Sequence, residues 1–168
     1  DRESRGSAIA YAFYVLARNK KASVGDLRYY SDTQLEAFRS PMAIAHLAAS
    51  LALYGDRARS EQAFQAAVTL AKSQTEANFL RDDYGSRLRD EAGILALAAE
   101  SKPVPPVVPE LVSLVGKEAK SKRYTSTQEQ AWMLLAARAL KAQDAEITLD
   151  VNGETRNGAL NERREGNQ

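Results

Sequence analysis

Four acidic side chains flank one loop, Asp82 and Asp83 before Gly85, Asp90 and Glu91 after it. Two carboxylates across the mouth of a helical array are what an inverting glycosidase needs, one as acid and one as base. Arg81, Arg87 and Arg89 are interleaved with them, and arginine–carboxylate pairing that holds the loop is the simpler reading. His46, the one histidine, sits in an apolar run with few co-ligands. A histidine is recognised as functional by its partners, so a core or rim role outweighs a metal or catalytic one. The absence of cysteine excludes disulfides, thiolate metal sites and cysteine nucleophiles within these residues. No glycine spacing makes a phosphate loop and no serine sits in a nucleophile elbow. Lys117, Lys120, Lys122 and Arg123 form a small basic cluster, which complements a helix C-terminus. With 23 basic and 22 acidic side chains, the electrostatic case for nucleic acid is absent.

The elements that must position these groups read as helices. The chain has 29 alanines among 168 residues, and alanine has the highest helix propensity. A first helix is predicted from about Ser7 to Asn19, closed by Asn19-Lys20-Lys21. It is apolar on every side, so buried all round. A short one follows, with Ser23 as N-cap and Leu27 and Tyr30 on one face. Ser40-Pro41 is a helix start, with serine as cap and proline at the first helical position. The run from Ala43 to Leu53 is again apolar nearly all round, and Gly55 stops it. The next helix opens at Ser60, with Ala63, Phe64, Ala67, Val68 and Ala71 on one face. Arg89 to Ala99 is a third apolar helix. Pro103, Pro105 and Pro106 make a stiff link, and Pro109-Glu110 opens an amphipathic helix. Ser126 and Glu129 have capping-box spacing ahead of a fourth apolar run, Ala131 to Leu140. Tyr29, Tyr30 and Trp132 read as packing residues.

Apolar and amphipathic helices thus alternate, the apolar ones starting near Ser7, Pro41, Arg89 and Thr127, 34, 48 and 38 residues apart, and a periodicity of roughly 20–50 residues is the mark of a solenoid or closed helical array. Inner helices apolar on all faces favour an all-α fold with two layers, a partial α/α toroid over residues 1–143. After Gln143 the pattern changes to alternation with period two, ending in the hairpin dipeptide Asn152-Gly153. Residues 144–160 are therefore expected to be the first strand and turn of a following β-domain, and 161–168 a polar, disordered tail. No apolar run reaches the roughly 18 residues of a membrane span. The charged start without Met reads as a boundary within a longer chain. A partial toroid exposes inner helices, which predicts a covering partner or a homo-oligomer.

Arg81-Asp82-Asp83-Tyr84-Gly85-Ser86-Arg87-Leu88-Arg89-Asp90 resembles a segment of bacterial alpha-2-macroglobulins. Tyr124-Thr125-Ser126-Thr127-Gln128-Glu129-Gln130-Ala131-Trp132 resembles another. Asp26-Leu27-Arg28-Tyr29, Ser40-Pro41 and Ala52-Leu53-Tyr54-Gly55-Asp56-Arg57-Ala58 match in order as well. The resemblance implies the later part of a thioester domain, followed by the start of a β-sandwich domain. It implies a periplasmic protease inhibitor, often lipid-anchored to the inner membrane, that traps proteases after they cut a bait segment. It implies no enzyme and no cofactor, and proteases and neighbouring β-sandwich domains as partners. The family's Cys-x-Glu-Gln thioester motif is not in this sequence, and Gln128-Glu129-Gln130 does not replace it. Arg89 and Asp90 are expected to link the loop to its helix, and Ser126 and Glu129 to cap the last inner helix. Two other readings stand beside this one, a helical-repeat adaptor and an α/α-barrel carbohydrate enzyme.

Overall fold

In a computed structural model, residues 2–74, 85–144, 148–151 and 154–157 are described. Seven α-helices lie among them: α1 Arg2–Arg18, α2 Val24–Thr33, α3 Pro41–Leu53, α4 Arg57–Ser73, α5 Arg87–Glu100, α6 Val108–Ser121 and α7 Thr127–Asp144. Helix α1 packs on α3, α3 on α5, and α5 on α7, which makes one inner row. Helices α2, α4 and α6 lie outside it, α2 and α4 against α3, and α6 against α5. The alternation predicted from polarity is therefore the layering of a partial, all-α toroid.

Alanine is what lets the inner row close up. Ala43, Ala45, Ala48 and Ala49 of α3 and Ala92, Ala96, Ala98 and Ala99 of α5 are all buried. At Gly93 the neighbouring side chains fill the space that a side chain would need. A Cβ there would stand 2.2 Å from Met42 Sδ of α3 and 3.5 Å from Trp132 Cδ2 of α7. Helix α4 lays Phe64, Ala67, Val68 and Ala71 on this row, all shielded from solvent. A side chain the size of Phe64 or Leu111 contributes roughly 1.5–3 kcal/mol by full burial.

The helix ends show how local chemistry sets boundaries. Ser23 Oγ accepts from Asp26 N and starts α2. Gly55 takes φ +74 after α3, with Asp56 N donating to Leu51 O at 3.0 Å and Gly55 N to Ala52 O at 2.9 Å. That is the Schellman arrangement, which a glycine accepts without strain. Lys20 closes α1 by the same pair of bonds, Lys21 N to Leu16 O and Lys20 N to Ala17 O. It does so at φ 57, without a glycine's freedom.

Several expectations change. Helix α1 is not buried all round: Tyr11 is 57% exposed, and Ile9, Val15 and Leu16 also face solvent. Helix α7 likewise exposes Leu134, at 71%, and Leu135. Both are ends of the inner row, so each lacks a helical neighbour on one side among the described residues. Ser40 stands at the N-cap of α3 with no side-chain cap bond. Ser60 does not open α4, which begins at Arg57. Its buried hydroxyl instead donates to Ala48 O of α3 at 2.9 Å. Helix α5 begins at Arg87, two residues before the predicted start. The strand expected after Gln143 is Thr148–Val151, and its partner is local. It pairs antiparallel with Glu154–Asn157, Thr148 opposite Asn157 and Val151 opposite Glu154. Residues 161–168 lie outside the described residues.

Candidate functional site

The signature residues converge at the N-terminal end of α5. Ser86 is its N-cap, accepting from Arg89 N at 3.1 Å. The same hydroxyl donates to Glu129 Oε1 at 2.6 Å. Glu129, only 3% exposed, collects two further donors. Lys122 Nζ reaches Oε1 at 2.6 Å, and Ser126 N reaches Oε2 at 2.6 Å. Ser126 Oγ returns the favour by accepting from Glu129 N at 3.2 Å. The capping box of α7 is thus extended into a knot that ties the starts of α5 and α7 to the end of α6. Burial pushes the Glu129 carboxyl up, but the Lys122, Ser86 and Ser126 bonds outweigh it and hold it below the ordinary glutamate range.

One turn further in, Arg89 Nε lies 2.9 Å from Asp90 Oδ1, both side chains buried. Arg87 donates to Gln74 O at the end of α4. Glu91 is 2% exposed, and its Oε2 has no hydrogen-bond partner. Burial first, then the charges of Glu118 and Asp90, push its carboxyl up to about 7, against a pull from Arg87. Asp90 and Glu91 are therefore sealed away, not set across a cleft as a glycosidase pair would be. Arg81, Asp82, Asp83 and Tyr84 lie outside the described residues. Gly85 leads into the Ser86 cap. Thr127 and Gln128 face solvent in the first turn of α7, and Trp132 packs against the core.

The other candidates fall elsewhere. His46 is buried on α3, its ring 5.3 Å from those of both Tyr11 and Tyr14. Burial, and then Arg89, lower it to about 4, so it is neutral at ordinary pH. Among the described residues no cluster of three or more metal-ligating side chains exists. The basic cluster is divided: Lys122 turns inward to Glu129, while Arg123 lies over the exposed Tyr124 ring. A cavity of about 300 Å³ opens between Tyr14, Arg18, Ala49, Leu53, Leu97 and Glu100. It lies at the C-terminal ends of α1, α3 and α5, about 20 Å along α5 from the Ser86 end.

Sequence reasoning missed a second polar network. Arg59 of α4 holds Asp32 of α2 through two bonds of 2.8 and 2.9 Å, and reaches Asp56 at 3.3 Å. Arg28 of α2 binds Asp56 at 2.7 Å. Its members lie in or beside two segments that matched the family in order, which was the available signal.

The chain is 35% identical over 138 residues to alpha-2-macroglobulin of Escherichia coli K12, covering 82% of this chain. It superposes on Salmonella alpha-2-macroglobulin reacted with methylamine with a TM-score of 0.69, at 35% identity over 82% of the chain. The chain belongs to the bacterial alpha-2-macroglobulin family. It spans 8% of the length of the Escherichia coli relative and 9% of the Salmonella structure. Escherichia coli alpha-2-macroglobulin activated by porcine elastase matches 94% of this chain and 14% of that one, at 28% identity and a TM-score of 0.67. No family model matches the chain. For a bacterial alpha-2-macroglobulin segment, the fold already described is the expected one, and the Ser86–Glu129 knot sits inside the matched residues.

Proposed function

We propose that this chain is scaffold in the thioester-type domain of a bacterial alpha-2-macroglobulin that inhibits proteases in the periplasm. The observation that carries this reading is the match to relatives along most of the chain, in sequence and fold together. The relatives supply the chemistry by analogy: one was captured after reaction with an amine, another after activation by a protease. A shape change that exposes a protected acyl group would account for both. This chain brings no cysteine to such a reaction. Its buried carboxylates Asp90 and Glu129 are taken up by Arg89 and by Ser86, Ser126 and Lys122, which supports a scaffold role. The hairpin Thr148–Asn157 would open the next domain, and the exposed edges of α1 and α7 would meet neighbouring parts of the inhibitor.

The test uses the full-length protein that carries these residues, in molar excess over the elastase it is mixed with. Hydrolysis of a large protein substrate should fall while that of a small chromogenic peptide persists, as steric entrapment requires. Equal loss of both activities, or loss of neither, would overturn the proposal.

A further inference from the structure

The knot at Glu129 also fixes the loop that joins α6 to α7. Lys122 is held by Glu129 Oε1 at 2.6 Å, and Ser126 N donates to Glu129 Oε2 at 2.6 Å. Gln130 Nε2 donates to Thr125 Oγ1 at 3.1 Å and to Thr125 O at 3.4 Å. Arg123 and Tyr124, between these tethered residues, meet each other instead. The Arg123 guanidinium carbon lies 5.5 Å from the Tyr124 ring centroid. Both side chains are exposed, and Tyr124, at 79%, is the most exposed large hydrophobic among the described residues. A tyrosine ring offers apolar area with few torsions to fix, and an arginine fork can meet a carboxylate with two donors. On a loop clamped at both ends, the pair is preorganised for binding.

The surrounding charge gives the partner's chemistry. Lys117 and Lys120, one turn apart on α6, are exposed. The acidic residues of α6, the loop and the first turn of α7 are Glu110, Glu118 and Glu129. Glu110 pairs with Lys72 and Glu129 is buried, which leaves the half-buried Glu118. A cation in the last turn of α6, such as Lys120, suits the negative end of that helix. Arg123 and Tyr124 lie past Ser121, where α6 ends, and the helix dipole does not account for an exposed ring.

We propose that Arg123 and Tyr124, flanked by Lys117 and Lys120, dock a carboxylate-bearing surface of another domain of the same inhibitor. The chain spans 8% of the length of its Escherichia coli relative. Under the scaffold reading, on which this contact rests, the other domains are tethered to it at high effective concentration. The ring covers apolar area on the partner, the guanidinium seats one carboxylate, and the lysines meet the charge around it. A rigid pair that seats one carboxylate suits a shaped protein surface better than a fluid sheet of lipid headgroups.

A carbodiimide, which joins a lysine amine to a touching carboxylate without a spacer, tests this in the full-length protein. Mass spectrometry should find Lys117 or Lys120 joined to Asp or Glu of the same polypeptide outside residues 1–168. Tyr124→Ala and Arg123→Gln should each lower the yield of those links at least five-fold. The Lys72–Glu110 link, across an ion pair of 3.0 Å, should keep its yield and so report an intact fold. No protease is present, so lost links leave the entrapment result standing, and failed entrapment leaves the links. Absence of links beyond residues 1–168, or links that either variant leaves at full yield, overturns the proposal. Binding to phosphatidylglycerol vesicles that both variants abolish would in that case assign the pair to a membrane.

Discussion

Replacing Glu129 by glutamine should unfasten three helix ends at once. The carboxylate receives Lys122 Nζ, Ser86 Oγ and Ser126 N, each at 2.6 Å, while 3% exposed. A hydrogen bond to a charged group contributes about 1.5–3 kcal/mol. The three share one carboxylate, and the Lys122 side chain is 28% exposed, so they do not add in full. Glutamine keeps one acceptor but turns an NH2 toward donors. The expected loss at pH 7 is therefore about 2–4 kcal/mol, or some 4–16 °C in Tm for a chain of this size at about 2–4 °C per kcal/mol. Because the folded carboxyl is held below its ordinary 4.5, its stabilisation is complete above that pH. It disappears as the pH falls through the lowered folded value. The difference between wild type and Glu129→Gln should accordingly be large at pH 7 and shrink in acid. Urea melts followed by far-UV circular dichroism at several pH values measure it. A difference below about 1 kcal/mol at pH 7, or one that does not shrink in acid, refutes the argument.

Ser126→Ala removes only the Glu129 N–H cap and should cost about 0.5–2 kcal/mol in the same melts. Gly55→Ala places a Cβ at φ +74 and should destabilise by about 1–2 kcal/mol, whereas Lys20→Gly at φ 57 relieves the same strain and should raise Tm. His46 is lowered to about 4 from 6.5, so it stabilises the fold above pH 6.5, and that stability is lost between pH 6.5 and 4. Its imidazole proton resonances in NMR should not titrate above about pH 5, and a midpoint near 6.5 would place the ring in solvent.

Much of the arrangement is legible in residue order. Burial class followed from polarity for α3, α4 and α5, because each has neighbours on every apolar side. It failed for α1 and α7, whose composition is just as apolar. Composition reports what a face can bury, and only the assembled row shows whether a neighbour is there. Of the polar site, the S-x-x-E spacing announced the α7 cap, since capping depends on residues three apart. The contributions of Ser86 and Lys122 did not show, because they lie 43 and 7 residues from Glu129 and meet it through helix packing.

The sequence by itself determined that this protein is helical, that its helices alternate between two layers, and that no cysteine chemistry occurs on this chain. Those outcomes rest on backbone propensity, on periodicity and on the elements present. Tertiary structure alone decided which charges are paired. Asp32 of α2 gained Arg59 of α4, Glu129 gained donors from Ser86 and Lys122, and Glu91 was left with an unpaired oxygen. Consecutive positions on a helix point about 100° apart. Neighbours in the chain therefore meet different helices, and the chemistry of each carboxylate is set by what it meets.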